Sequence, residues 1–128
     1  MSHANDTKAP SCLSFEFFPP KDEAGIDRLI SGTASRLSAF RPDYFSVTSG
    51  AGGSTREGTQ ALVEKLIRSG ANAVPHLSVG GSTDAEVDRL VEHYEGLGIR
   101  RILCLRGDRP ADGNQRTVFA KDLVEQLW

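Results

Sequence analysis

Short apolar runs alternate along the chain with longer segments in which apolar residues recur every three or four positions. The short runs lie at 13–18, 44–48, 71–79 and 101–106, and each predicts a β-strand. Pro75 lies inside the third run and has no N–H to donate, so we expect incomplete strand pairing around it. The fourth run is apolar at successive positions, which predicts a strand that is buried on both faces.

Each predicted strand is followed by a segment with helical spacing. The first such segment carries Ile26, Leu29, Ile30, Ala34 and Leu37 on one face, and 118–127 predicts a last helix. Capping-box patterns at 54–57 and 83–86 predict the starts of two helices, and Gly70 and Gly98 predict their ends.

Four strand-then-helix units in a row predict an α/β fold with a parallel sheet and crossover helices. One unit recurs about every 30 residues. We interpret 1–12 as a loose N-terminal tail and 13–128 as one domain, with no second domain.

Composition excludes several classes of protein. The 128 residues carry a net charge of −2, so the basic surface of a nucleic-acid-binding protein is missing. No apolar stretch approaches the roughly 20 residues that cross a bilayer, and the polar N-terminus predicts cytoplasmic residence. Cys12 and Cys104 lie in apolar runs, which predicts buried thiols rather than a disulfide.

Polar residues stand where the four predicted strands end. Glu16, Thr48, His76 and Asp108 follow one another at spacings of 32, 28 and 32 residues. In a parallel barrel-like sheet all four would lie on the carboxyl face, where such folds carry their chemistry. Aromatic neighbours on both sides predict a desolvated Glu16, which would suit a general acid because desolvation favours the protonated form.

Each of these residues also has a structural interpretation. Glu16 could be one partner of an ion pair, Thr48 a strand residue, His76 a core histidine and Asp108 a turn residue. Glu16, His76 and Asp108 could together meet a divalent ion, but no motif with metal-ligand spacing is present, and we predict no metal site. The glycines at 50–53 could bind an anion or form a tight turn, and they match neither the dinucleotide fingerprint nor the P-loop.

The same strand ends carry a family resemblance. The segment SFEFFPPK at 14–21 resembles the first-strand signature of the methylenetetrahydrofolate reductase family. FSVT at 45–48 with the following Gly50 and Ala51, PHL at 75–77, LRGD at 105–108 and FAKDLV at 119–124 are similar to its next signatures, in order. The resemblance implies a (β/α)8 TIM barrel, of which 13–128 would form the N-terminal half, with four βα units.

The resemblance also implies a reaction. Members of the family transfer a hydride from NADH or NADPH through FAD to 5,10-methylenetetrahydrofolate, which gives 5-methyltetrahydrofolate for methionine biosynthesis. By this resemblance Glu16 is the general acid, Asp108 lies beside flavin and folate, and Thr48 contacts both cofactor and substrate. The remaining residues implied at the cofactor are Ser49, which stands where the family usually has an aromatic residue, and Ala51, His76, Arg106, Gly107 and Ala120.

The chain also allows a second function. Four units are half of an eight-unit barrel, so a catalytically inactive half-barrel that serves for binding or assembly is the alternative. An open half-barrel exposes two strand edges, which predicts a homo-oligomer or a poorly folded chain.

Overall fold

Four parallel strands form one sheet in the computed structural model, which describes residues 11–49, 56–78, 83–107 and 119–127. The strands are β1 (Ser14–Phe17), β2 (Tyr44–Val47), β3 (Ala73–Ser78) and β4 (Leu103–Leu105). Their order in the sheet is β1-β2-β3-β4, so each strand pairs with its neighbour in sequence. This order confirms the predicted fold class, an α/β half-barrel of four βα units.

Helices follow the strands at the predicted places. They are α1 (Glu23–Leu29), α2 (Ser35–Ser38), α3 (Arg56–Arg68), α4 (Asp84–Gly96) and α5 (Ala120–Leu127). The first predicted helix is a continuous segment in which a π-helical turn, Ile30–Ala34, joins α1 to α2. The predicted apolar face continues across this turn, because Ile26 before it and Ala34 at its end are both buried.

Local signals set the ends of α4 as predicted. The Thr83 hydroxyl oxygen accepts a hydrogen bond from the Glu86 N–H at 3.2 Å, and Glu86 Oε2 accepts one from the Thr83 N–H at 3.1 Å. Gly70 follows α3 and Gly98 follows α4 with φ of 94° and 87°, a region that favours glycine. The capping pattern at 54–57 begins outside the described residues.

Alternation along the strands separates a core face from a polar face. Phe17 stacks on Phe45 with ring centroids 5.0 Å apart, and Leu77 of β3 joins the same core. Helix residues complete this core, among them Ile26, Leu62, Leu66, Val87, Tyr94 and Leu123. The described helices therefore cover one face of the sheet, which leaves Glu16, Ser46 and His76 on the other face.

Pairing of β3 is incomplete around Pro75, as the missing N–H predicted. β3 pairs with β2 from Ala73 to Pro75 and with β4 from His76 to Ser78. Each neighbour is thus paired along only half of β3.

Two burial predictions are wrong. Leu103 in β4 is 45% exposed, and its two neighbours in the strand are only half-buried. Leu103 is in register with His76, on the face of the sheet that the described helices do not cover. Cys12 is exposed because it precedes β1, and Cys104 is half-buried; both are free thiols. In the described part of the chain, no helix is long and apolar enough to span a bilayer.

Candidate functional site

Three of the predicted residues come together on the polar face of the sheet. Glu16 in β1 is in register with Ser46 in β2, and Ser46 is in register with Val74 in β3. Thr48 and His76 lie two residues beyond those partners, so strand alternation puts all of them on one face. The Thr48 N–H donates to the Phe17 carbonyl at 3.0 Å, which continues the β1–β2 ladder to Thr48.

Glu16 and His76 contact each other across β2. The distance from His76 Nε2 to Glu16 Oε1 is 3.3 Å, while the side chains differ in exposure, 8% for His76 and 52% for Glu16. Burial lowers the pKa of His76, and the negative charge of Glu16 opposes that shift. Nε2 is buried and has no hydrogen-bond partner among the described residues, so the two side chains are close together without hydrogen-bond geometry.

The predicted apolar surroundings of Glu16 are wrong. Phe15 and Phe17 point to the opposite face of the sheet, where both pack on Phe45. Phe18 follows β1 and is 66% exposed, so it does not shelter the carboxylate either. Neighbours in sequence alternate sides along a strand, and an aromatic flank therefore does not desolvate the residue between.

Thr48 presents a second polar atom without a partner. Its Oγ1 is buried and makes no hydrogen bond within the described ranges. Its carbonyl accepts a hydrogen bond from the Thr59 hydroxyl at 2.8 Å, which ties the end of β2 to α3. Buried polar groups without a partner are rare in proteins, and two of them on one face indicate a surface that receives a ligand or ordered water.

The other predicted cofactor residues follow the strands, begin α5 or lie outside the described residues. Ser49 comes directly after Thr48 and is half-buried; Arg106 and Gly107 follow β4, exposed and half-buried. Ala120, half-buried, is the first residue of α5. Ala51 and Asp108 lie outside the described residues, so their place relative to Glu16 stays a prediction.

Two features of this face were missed in the sequence. Ser46 is buried there between Glu16 and Val74. It lies two residues before Thr48 in the same strand, and this alternation could have predicted that it shares the face of Thr48. Arg101 lies over the Tyr44 ring at 4.8 Å from its centroid, a cation–π contact near the amino ends of β2 and β4. Among the described residues, no group of three His, Cys, Asp or Glu could hold a metal ion.

Comparison with known proteins adds the family. The family model described as methylenetetrahydrofolate reductase matches residues 1–128. The chain belongs to the methylenetetrahydrofolate reductase family. It is similar to the 5,10-methylenetetrahydrofolate reductases of Pectobacterium carotovorum subsp. carotovorum and Escherichia coli (strain K12), with 34% and 35% identity over 116 residues.

Each of those two alignments covers 90% of this chain and 39% of the relative. The chain also resembles methylenetetrahydrofolate reductase (NADH) 1 of Arabidopsis thaliana, with 34% identity over 101 residues, 78% of this chain and 17% of the relative. The chain thus spans about two fifths of the length of the first two relatives. The family resemblance found in the strand-end motifs is confirmed.

Proposed function

We propose that this chain forms the N-terminal half-barrel of a 5,10-methylenetetrahydrofolate reductase that uses FAD and either NADH or NADPH. One observation supports the placement of the site: Glu16, Thr48 and His76 share the polar face of the sheet, and two of them present a buried polar atom without a partner in the described ranges. Membership of the family supports the reaction.

The residues present fit a polar, planar cofactor. The Thr48 hydroxyl can donate or accept a hydrogen bond, and so can His76 Nε2, depending on the tautomer. Bound FAD would supply the hydride chemistry, while the protein positions and tunes it. The proposed contacts at the carboxyl edge come from Thr48, Ser49, Ala51, His76, Arg106, Gly107, Asp108 and Ala120.

Glu16 is placed where its carboxyl group can contact a substrate. Its carboxyl is half exposed and can reach a substrate on the polar face, while Oε1 remains 3.3 Å from His76 Nε2. Burial lowers the pKa of His76, which favours the neutral imidazole at this contact. On the strength of the family resemblance, we assign Glu16 the role of general acid, and we assign Thr48 and Asp108 contacts to the folate.

Titration of the 128-residue chain with FAD, followed by flavin fluorescence, tests the cofactor site. Saturable quenching is expected, and Thr48→Val should weaken it about tenfold because one hydrogen bond is lost. Thr33→Val is the matched control, since Thr33 is exposed and lies in the π-helical turn between α1 and α2, not at a strand end. No binding of FAD, or equal binding by both variants, would contradict the proposed contact.

Glu16→Gln separates the two half-reactions. In an active, full-length and FAD-loaded protein, reduction of flavin by NADH or NADPH should persist, while folate reduction should fall by about 100-fold or more because the proton donor is missing. Glu92→Gln, at an exposed position of α4, removes the same charge elsewhere. Equal loss of both half-reactions would contradict the role of Glu16.

A catalytically inactive half-barrel for binding or assembly is the second candidate. Its support is the set of four βα units, which is half of an eight-unit barrel. A folded protein that stays colourless with added FAD would support this candidate over the reductase. Self-association and cytoplasmic residence stay predictions.

A further inference from the structure

One small residue lies at the centre of the polar face. Ser46 of β2 is in register with Glu16 of β1 on one side and with Val74 of β3 on the other. It is buried, as are Thr48 and His76 on the same face. Ser46 therefore lies between the two strands that carry Glu16 and His76.

Glu16 and His76 are on strands that do not pair with each other, because β2 lies between them. Neighbouring strands in a sheet are about 4.8 Å apart, so β1 and β3 are separated by about 10 Å. Glu16 Oε1 is nevertheless 3.3 Å from His76 Nε2. Both side chains must therefore lean over β2 and meet above it. His76 lies two residues beyond Val74, the register partner of Ser46, so their contact crosses β2 between Ser46 and Thr48.

The size of the side chain at position 46 decides whether this contact can form. Serine carries a single heavy atom beyond Cβ, so it leaves the space above β2 open. Tyr44, two residues earlier on the same face, shows the contrast, because its ring is long enough to lie under Arg101, 4.8 Å from the ring centroid. A long side chain at position 46 would fill the space in which the carboxyl and imidazole groups meet.

We propose that Ser46 is a positioning residue whose small side chain allows Glu16 and His76 to meet across β2. A glutamate side chain has three rotatable bonds, and the contact with His76 restricts them. The carboxyl group is thereby held close to His76 Nε2 and Thr48 Oγ1, the two buried atoms without partners among the described residues. A general acid must lie within hydrogen-bond reach of the group that it protonates, so this placement serves the role assigned to Glu16.

The consequence for the reaction rests on the proposed function, while the contact itself rests on the sheet register. The contact can be measured without cofactor or substrate through the pKa of His76, which burial lowers and the negative charge of Glu16 raises. Apart from these two residues, no ionised side chain lies on this face within the described strands, and β4 contributes Leu103 and Leu105 to it. The pKa of His76 therefore depends on whether Glu16 is in contact with it.

NMR titration of the three histidines in the ligand-free 128-residue chain is the first test, and His76→Gln assigns the signal. Glu16→Gln should lower the pKa of His76, because the negative charge that favours the imidazolium is lost. Ser46→Leu should lower it as well, because the larger side chain separates the carboxyl group from the imidazole. Ser46→Ala removes the hydroxyl and adds no volume, so it should leave the pKa of His76 unchanged.

A double-mutant cycle separates the charge of Glu16 from burial. Leucine at position 46 also adds burial around His76, which lowers the pKa with or without Glu16. Ser46→Leu should therefore lower the pKa of His76 more in the wild type than in the Glu16→Gln background. A shift in the wild type that is no larger than in Glu16→Gln would overturn the proposal. A shift by Ser46→Ala equal to that of Ser46→Leu would also overturn it, because the hydroxyl would then be responsible.

Ser46→Val replaces Ser46→Leu in the same cycle if the leucine variant does not fold. Valine adds one heavy atom to the serine side chain and suits a strand, so the shift should be smaller and of the same sign. The same two outcomes would overturn the proposal.

Kinetics in an active, full-length and FAD-loaded protein test the consequence for the reaction. Ser46→Leu should lower kcat for folate reduction at least about tenfold, because the proton donor is displaced, while reduction of flavin by NADH or NADPH persists. Ser35→Leu, at an exposed position of α2, is the matched control and should change neither half-reaction. Equal loss of both half-reactions in Ser46→Leu would contradict the positioning role. A cycle that shows the contact in a chain that does not bind FAD would support the positioning of Glu16 and count against the proposed function alone.

Discussion

Two neighbouring threonines should respond in opposite directions to the same substitution. Thr48 and Thr59 are both buried, but Thr48 Oγ1 has no hydrogen-bond partner in the described ranges, whereas Thr59 Oγ1 donates to the Thr48 carbonyl at 2.8 Å. Valine has nearly the same shape as threonine and lacks the hydroxyl. The pair therefore separates the effect of the hydroxyl from that of packing.

The magnitude follows from the hydrogen bonds. A buried polar group without a partner costs about 1–3 kcal/mol, so Thr48→Val should raise the free energy of unfolding by about 1 kcal/mol. Thr59→Val should lower it by about 1–2 kcal/mol, because the bond is lost and the Thr48 carbonyl loses its donor. A change of about 1 kcal/mol corresponds to a shift of about 4 °C in Tm for a domain of this size.

Urea unfolding of the ligand-free chain, followed by circular dichroism, measures both changes. The same slope m in all three proteins would show that the denatured states are comparable. A Thr48→Val protein that unfolds at lower urea than the wild type would refute the reasoning, because the hydroxyl would then be satisfied. FAD should stabilise the wild type more than Thr48→Val, if the hydroxyl serves the cofactor.

Three further predictions concern stability. The folded-state pKa of His76 lies below its unfolded value, so the neutral form is favoured on folding and stability is lost as pH falls below about 6.5. Between about pH 7.5 and about pH 5.5, the free energy of unfolding measured with urea should fall less for His76→Gln than for the wild type. An equal fall in both proteins would contradict this prediction. Thr83→Ala should cost about 1 kcal/mol through the lost cap, and Thr83→Ser should restore most of it; thermal melting tests both. Gly98→Ala should destabilise by about 1 kcal/mol because φ is 87°. Gly96→Ala should stabilise by up to about 0.5 kcal/mol, because Gly96 is the last residue of α4 and has open space at its Cβ. Thermal melts in which both variants shift the same way would contradict the conformational argument.

Much of the fold could be predicted because it depends on local interactions. The cap at Thr83 and the turn at Gly98 involve residues within one helical turn, and their chemistry can be recognised in a short segment. Four alternating units then leave few topologies for a parallel sheet. The strand-end positions of Glu16, Thr48 and His76 follow from that repeat, and the sheet register brings them to one face.

The environment of those residues depended on neighbours that are distant in the chain. Glu16 is half exposed because Phe15 and Phe17 face a core built by Phe45 and the helices, which no local aromatic pattern reveals. Leu103 is exposed because its register with His76 puts it on the face that the described helices do not cover, although the apolar run around it is that of a buried strand.

The sequence by itself thus determined which residues occupy the strand ends and to which family the chain belongs. Both depend on short sequence patterns and on their order along the chain. Only the tertiary structure decided that the Thr48 hydroxyl lacks a partner and that His76 contacts Glu16 across β2. Burial and hydrogen bonding depend on how the strands and helices pack against one another. The packing partners are about 30 or more positions apart in the chain, so a local sequence pattern does not contain this information.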